Sequence, residues 1–165
     1  GADGMSPDEL EYASENPQFE FYETAWVSRP DVVCRNDNMV SIQNGIAVDL
    51  MGQINSETIF GGMPLNGPGG QPESHIGALF SRGGRSITLL RSTAVQGTVS
   101  CIVPQFEPGS VVTIPRHHAD YVVTEYGIAK LMGKSFRERA EELIAIAHPD
   151  FRAELREQAR RLFYP

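Results

Sequence analysis

Apolar residues recur along this chain with two periods, and the change between them marks three stretches. The first opens on Ser6-Pro7-Asp8-Glu9. Ser6 suits an N-cap, Pro7 a first helical position where a missing N–H costs nothing, and Glu9 can reach back to the cap. That helix should run to about Asn16, where Pro17 stops it. Phe19, Phe21 and Tyr22 then read as a short strand leading to Trp26. From Met39 the texture becomes short β-branched runs: Met39–Ile42, Ile46–Met51, Ser86–Leu90, Val99–Val103, Val111–Ile114 and Tyr121–Thr124. Each is bounded by Gly, Pro or Asp, as strands are, and Gly52-Gln53 makes a turn after the second. Several are apolar on both faces, which favours a sheet covered by helices. The last third is helical: Ser135-Phe136-Arg137-Glu138 is a second capping box, and Phe136, Ala140, Leu143, Ile144 and Ala147 recur at helix period. His148-Pro149 breaks that helix, and Phe151, Leu155, Ala159 and Leu162 mark another. No internal repeat is visible. The pattern is that of an α/β domain with a mixed, largely parallel open sheet flanked by helices.

Composition narrows the function classes. With 165 residues, 41% hydrophobic and 21% charged, the chain can build one ordinary core. Residues 1–5 read as a linker or processed start, since the chain opens Gly1-Ala2-Asp3-Gly4 rather than with Met, and 6–165 as one domain. A net charge of −7 argues against nucleic acid and anionic membranes as partners. Arg152, Arg156, Arg160 and Arg161 are interleaved with Glu154 and Glu157 at helical spacing, a solvated helix face. Cys34 and Cys101 stand far apart without metal-binding spacing, so two free thiols in a reducing, cytoplasmic setting are expected, with a disulfide still open. No apolar run approaches a membrane span and no signal peptide is evident.

Candidate chemistry concentrates at two places. Gly61–Glu73 holds five of the sixteen glycines and three of the eleven prolines. It is either a connector or a wall whose bare backbone meets a ligand. Gly67-Pro68-Gly69-Gly70 matches no dinucleotide or phosphate-loop fingerprint, and no helix pattern opens after it. Glu125 ends the run Tyr121–Thr124, at the strand end where open α/β sheets place ligands. Desolvation there would raise its pKa and fit it for acid, base or hydrogen-bonding work. The competing reading makes it a neighbour of a helix N-cap. His117-His118 lack a third ligand at metal spacing, so no metal site is nominated.

Several ordered motifs resemble one family. Val40–Ile42, Ala47–Thr58, Gly67–Gln71, Ser92-Thr93-Ala94, Gly97–Ser100, Ile102–Pro104, Asp120–Gly127 and Ala147-His148-Pro149 are similar to the C-terminal domain of the acetyl-CoA hydrolase/transferase family, nearest its 4-hydroxybutyrate and butyrate CoA-transferases. The resemblance covers roughly residues 15 to 160. It implies transfer of coenzyme A between carboxylates. A glutamate attacks the acyl-CoA thioester, an anhydride and then a glutamyl-CoA thioester form, and the acceptor carboxylate reverses the sequence. Such nucleophilic catalysis needs an oxyanion hole. By position Gly70, with Gly69 beside it, matches the loop residue whose N–H serves that hole, and Glu125 matches the family's active-site carboxylate. Gly67, Gly69, Gly70, Gln71 and Gly97 fall in the segments expected to bind the coenzyme A substrate, and no tightly bound cofactor is implied.

Departures from the family pattern set limits. Its nucleophilic glutamate lies further upstream of the segment matching Ser28–Asp31 than this chain reaches, so none of Glu9, Glu11, Glu15, Glu20 or Glu23 is nominated. Val95 and Cys101 stand where basic residues are usual, and Pro72-Glu73-Ser74 where aliphatic-Asp-Phe is usual. Losing cations weakens the expected hold on phosphates. Two readings follow: the C-terminal domain of a CoA-transferase or acyl-CoA hydrolase, inactive without an N-terminal half-domain, or a non-catalytic acyl-CoA binder or subunit. The implied partners are an acyl-CoA, a small carboxylate, that half-domain and, through an uncovered apolar face, a second copy.

Overall fold

In the computed structural model, which describes residues 5–59 and 62–163, the first capping box closes as expected. Ser6 Oγ accepts from the Glu9 N–H, and Glu9 Oε2 accepts from the Ser6 N–H at 2.7 Å, opening α1 (Pro7–Ala13). Phe19, Phe21 and Tyr22 form no strand. Alternation supplies a face but not a partner ladder, and here the rings stay exposed, Phe19 against Tyr12 and Tyr22 against Trp26. Two single-turn helices follow, α2 (Thr24–Val27) and α3 (Pro30–Val33).

Then come β1 (Val40–Asn44), β2 (Ala47–Asp49), β3 (Ile54–Asn55), β4 (Thr58–Ile59), β5 (Met63–Pro64) and α4 (Gln71–Phe80). After these are β6 (Arg85–Leu89), β7 (Thr93–Ala94), β8 (Val99–Ser100) and β9 (Ile102–Val103). The chain ends with β10 (Tyr121–Thr124), β11 (Gly127–Lys130), α5 (Phe136–Ala145) and α6 (Arg152–Phe163). The main sheet has the order β1-β6-β10-β11, its first three strands parallel and β11 antiparallel. A second sheet has the order β3-β2-β9. The Gly52-Gln53 turn forms between its strands: Gly52 has φ +90°, and buried Asp49 accepts from the Met51 and Gln53 N–H groups. The run Val99–Val103 divides between two sheets because Ser100 Oγ bonds both backbone groups of Ile102. Val111–Ile114 makes one bridge, Ile114 to Ile54, and no named strand among the described residues.

One face of the main sheet is covered, by α4 over β1 and β6 and by α5 beside β11, with α6 outside α5. The core there joins Val48, Leu50, Ile54 and Ile102 of the second sheet region to Val122, Leu131 and Leu143. The opposite face is bare: Val40, Ile42 and Ile128 are 39%, 57% and 67% exposed. The second apolar face of these strands, which suggested cover on both sides, has none within the described residues. No helix among them is long and apolar enough to cross a membrane.

Gly77 lets α4 touch α3. A Cβ there would stand 2.6 Å from Val33 Cβ and Cγ1, a branched side chain with no free end to swing away. Helix propensity alone favours Gly77→Ala by about 1 kcal/mol, whereas overpacking costs about 1–3 kcal/mol. Urea unfolding of Gly77→Ala should therefore show a net loss of stability; a gain would mean that α3 yields freely.

Candidate functional site

Three parallel strands bring their carboxyl ends to one edge, at Asn44-Gly45, Leu90-Arg91 and Thr124-Glu125, the position where open α/β sheets bind ligands. Two adjoining clefts lie there. One, of about 440 Å³, crosses the strand ends from Asn44 to Thr124. The other, of about 480 Å³, extends to Val95, Gly97 and Cys101. Gly45, Arg91 and Glu125 line both. A cavity of about 150 Å³ beside Phe106 and a groove of about 450 Å³ between α5 and α6 contain none of the residues nominated from sequence.

Glu125 follows β10 directly, as expected, but no helix comes next. With Tyr126 it forms the two-residue turn of the β10–β11 hairpin, and Gly127 takes φ +147° to close it. Its carboxylate is held by one residue in the segment between β6 and β7: the Ser92 N–H donates to Oε2 at 3.0 Å and Ser92 Oγ to Oε1 at 2.6 Å. The expected upward pKa shift is reversed. Glu125 is exposed, and the hydrogen bond from the Ser92 side chain lowers its pKa more than burial raises it; the backbone donors and the charge of His148 add to the lowering. It is a carboxylate at neutral pH, unfit for storing a proton. Cys101 lines the second cleft as a thiol pushed up to about 11 by burial and, secondarily, by Glu125, so it stays protonated. Val95, φ +49°, holds a conformation costly for a β-branched residue, and Gln96 and Gly97 continue the left-handed turn.

The glycine-rich stretch ends differently from its sequence reading. Gly61, its first residue, lies outside the described residues; α4 begins at Gln71 with Gly70 as its N-cap. The helix was illegible because Ser74, His75 and Gly77 interrupt any apolar stripe. Those positions pack by polarity and close approach instead. Ser74 Oγ accepts from Ser41 Oγ at 3.0 Å and Gln43 Nε2 at 3.2 Å and donates to the Gln71 carbonyl at 3.1 Å. The start of α4 is thus tied beside β1. A Cβ at Gly67, Gly69 or Gly70 would meet no atom within 4 Å, and Gly69 has φ +57°. Gln71 is buried, and its Nε2, with Glu73 Oε2, lacks a partner among the described residues. The structure therefore unites Glu125 and Gly97 in one cleft and sets Gly67, Gly69, Gly70 and Gln71 apart, on the β1 side.

Two residues of this edge were missed in the sequence. Arg91 lines both clefts and follows a predicted strand just as Glu125 does, so the strand-end rule that found Glu125 would have found it. Ser92 lines neither; it opens the quoted Ser92-Thr93-Ala94 motif, and its contact with Glu125 is what shows its part.

The chain is a member of the acetyl-CoA hydrolase/transferase C-terminal domain family, whose model matches residues 7–159. It is 47% identical over 152 residues to succinyl-CoA:cyclohexane-1-carboxylate CoA transferase of Geobacter metallireducens, covering 92% of this chain and 35% of that protein. It is 46% identical over 153 residues to 4-hydroxybutyrate coenzyme A transferase of Clostridium kluyveri, covering 93% and 35%. The solved 4-hydroxybutyrate CoA-transferase of Porphyromonas gingivalis superposes with a TM-score of 0.76 at 42% identity, over 96% of this chain and 35% of that one. The chain thus spans about a third of the length of these relatives.

His75 of α4 is buried against β1 and β6, its Nδ1 3.2 Å from Ser41 Oγ and its Nε2 3.1 Å from Thr88 Oγ1. Burial, aided by the charge of His118, lowers its pKa to about 4. An unfolded histidine titrates near 6.5, so the unfolded chain takes the proton first as pH falls. The stability from neutral His75 is whole above about pH 6.5 and is lost as pH drops toward 4. Between pH 7 and 4.5 the native chain should lose about 2–3 kcal/mol more than His75→Gln in urea unfolding. Equal losses would show that His75 is not held neutral.

Proposed function

We propose that this chain is the C-terminal part of an enzyme that moves coenzyme A from an acyl-CoA to a small carboxylate such as acetate, through a glutamyl-CoA thioester. The observation that carries the reading is the meeting of family motifs at one edge: Glu125, clamped by Ser92, and Gly97 share a cleft beside the strand ends. Gly70 supplies a backbone N–H to the thioester oxyanion, and the open space over Gly67, Gly69 and Gly70 suits approach of that group. Gln71 and Gly97 contribute to the coenzyme A surface. Glu125 works as a fixed carboxylate, orienting the acyl group or acceptor. The nucleophilic glutamate is assigned to a part of the protein other than this chain, and coenzyme A is substrate rather than resident cofactor. Two unpaired cysteines fit a cytoplasmic setting.

The N-terminal half-domain packs near the bare sheet face and glycine-rich loop, and without it that face drives self-association. A second reading, a non-catalytic acyl-CoA binder, draws on Val95 and Cys101, uncharged in the cleft. Water in place of a carboxylate acceptor would make the enzyme a hydrolase.

Acetate-dependent exchange on butyryl-CoA separates these readings. The chain alone should show no turnover, and a parent protein carrying the N-terminal half should; turnover by the 165-residue chain would overturn the division of labour. Light scattering of the isolated chain at high concentration should show association, against which a monodisperse monomer would count.

A further inference from the structure

Of the residues lining the two carboxyl-edge clefts, Arg91 and Glu125 are the charged ones. Their situations are opposite. Both Glu125 oxygens are taken by Ser92. Arg91, by contrast, has no ion-pair or hydrogen-bond partner among the described residues, although it borders the same space. Its backbone is pinned on both sides: the Leu90 N–H donates to the Val123 carbonyl at 3.1 Å, and the Ser92 N–H to Glu125. Its backbone is thus placed while the side chain stays exposed, so the uncommitted guanidinium is a planar fork of donors at the mouth of a cleft.

We infer that Arg91 is a binding residue of this edge, holding an oxyanion group of the substrate: a phosphate of coenzyme A or the carboxylate of the acid. Guanidinium pairs bidentately with either, and such charge-assisted bonds are about twice as strong as neutral ones. The negative wall at Glu125 keeps the anion on the Arg91 side, so the pair orients the ligand as well as attracting it. Val95 and Cys101, which line the same cleft, offer no charge for this purpose. The inference rests on the coenzyme A reading above and adds the residue that meets the ligand's charge.

Arginine side-chain NMR tests it in the 165-residue chain. The Arg91 Nε–H signal, assigned by its absence in Arg91→Lys with the backbone spectrum otherwise unchanged, is followed during titration with coenzyme A, pantetheine and butyrate. It should shift with coenzyme A or with butyrate and not with pantetheine, which carries no anion; the ligand that moves it names the source. Arg91→Gln should weaken that ligand about tenfold or more, as expected for loss of a charged hydrogen bond. Backbone shifts at Ser92 and Gly97 without movement of Arg91 would overturn this inference and leave the coenzyme A reading standing. No shift anywhere with any of the three would overturn this inference, while the exchange assay on a parent protein decides the coenzyme A reading.

Discussion

Ser92 gives its backbone N–H and its hydroxyl to the two oxygens of Glu125. One residue thereby joins the ends of two neighbouring parallel strands, β6 and β10, just past the last ladder pair Leu89–Val123. The tie continues inward, since the Ser92 carbonyl accepts from the Cys101 N–H and the Cys101 carbonyl from the Val48 N–H. A path of hydrogen bonds thus runs from the exposed carboxylate through Ser92 and Cys101 to β2. The candidate site needs a rigid edge, and this clamp provides it without an opposing cation. The same bonds explain why Glu125 stays ionised.

A second constraint acts where α4 meets β1 and β6. The covered face of β1 and β6 is polar, with Ser41, Ser86 and Thr88 buried where aliphatic residues would be usual. Buried hydroxyls are costly unless paired, and here Ser41 and Thr88 share His75 between them while Ser74 and Gln43 extend the network. Helix α4 is therefore registered on the sheet by hydrogen bonds, and Gly77 brings it close to α3. The position of Gly70 depends on that registration, because it caps the helix that the network holds.

These two features mark how far the sequence could be read. Capping boxes at Ser6 and Ser135, the break at His148-Pro149 and the main parallel strands were legible because local chemistry dictates them. So was the placing of Glu125 at a strand end. Phe19–Tyr22 misled because alternation is silent about a hydrogen-bonding partner, and Val111–Ile114 because a strand-like run can contribute one bridge and stop. α4 was hidden because polar pairing fixes it, which hydrophobic period cannot register. The pKa of Glu125 came out reversed for a related reason: position predicted burial, while the decisive partner, Ser92, lies 33 residues away in the chain.

The carboxyl edge is also one-sided. Its clefts, about 440 and 480 Å³, fall within the range of small-molecule sites, yet both open to solvent, and the glycine-rich loop stands clear of them. Thioester chemistry of the proposed kind needs water excluded, so that charge meets fixed dipoles in a low-dielectric space. Nothing among the described residues closes over Glu125 and Gly70 together. Under the proposed function, whatever completes the enzyme must roof this edge and supply the attacking carboxylate. The bare face over Val40, Ile42 and Ile128 lies on the same sheet and needs cover of its own. One docking event could meet both needs, joining domain packing to assembly of the site. In that arrangement the Ser92–Glu125 clamp and the His75 network are what this chain brings ready-made: two rigid halves of an edge, preorganised before the partner arrives.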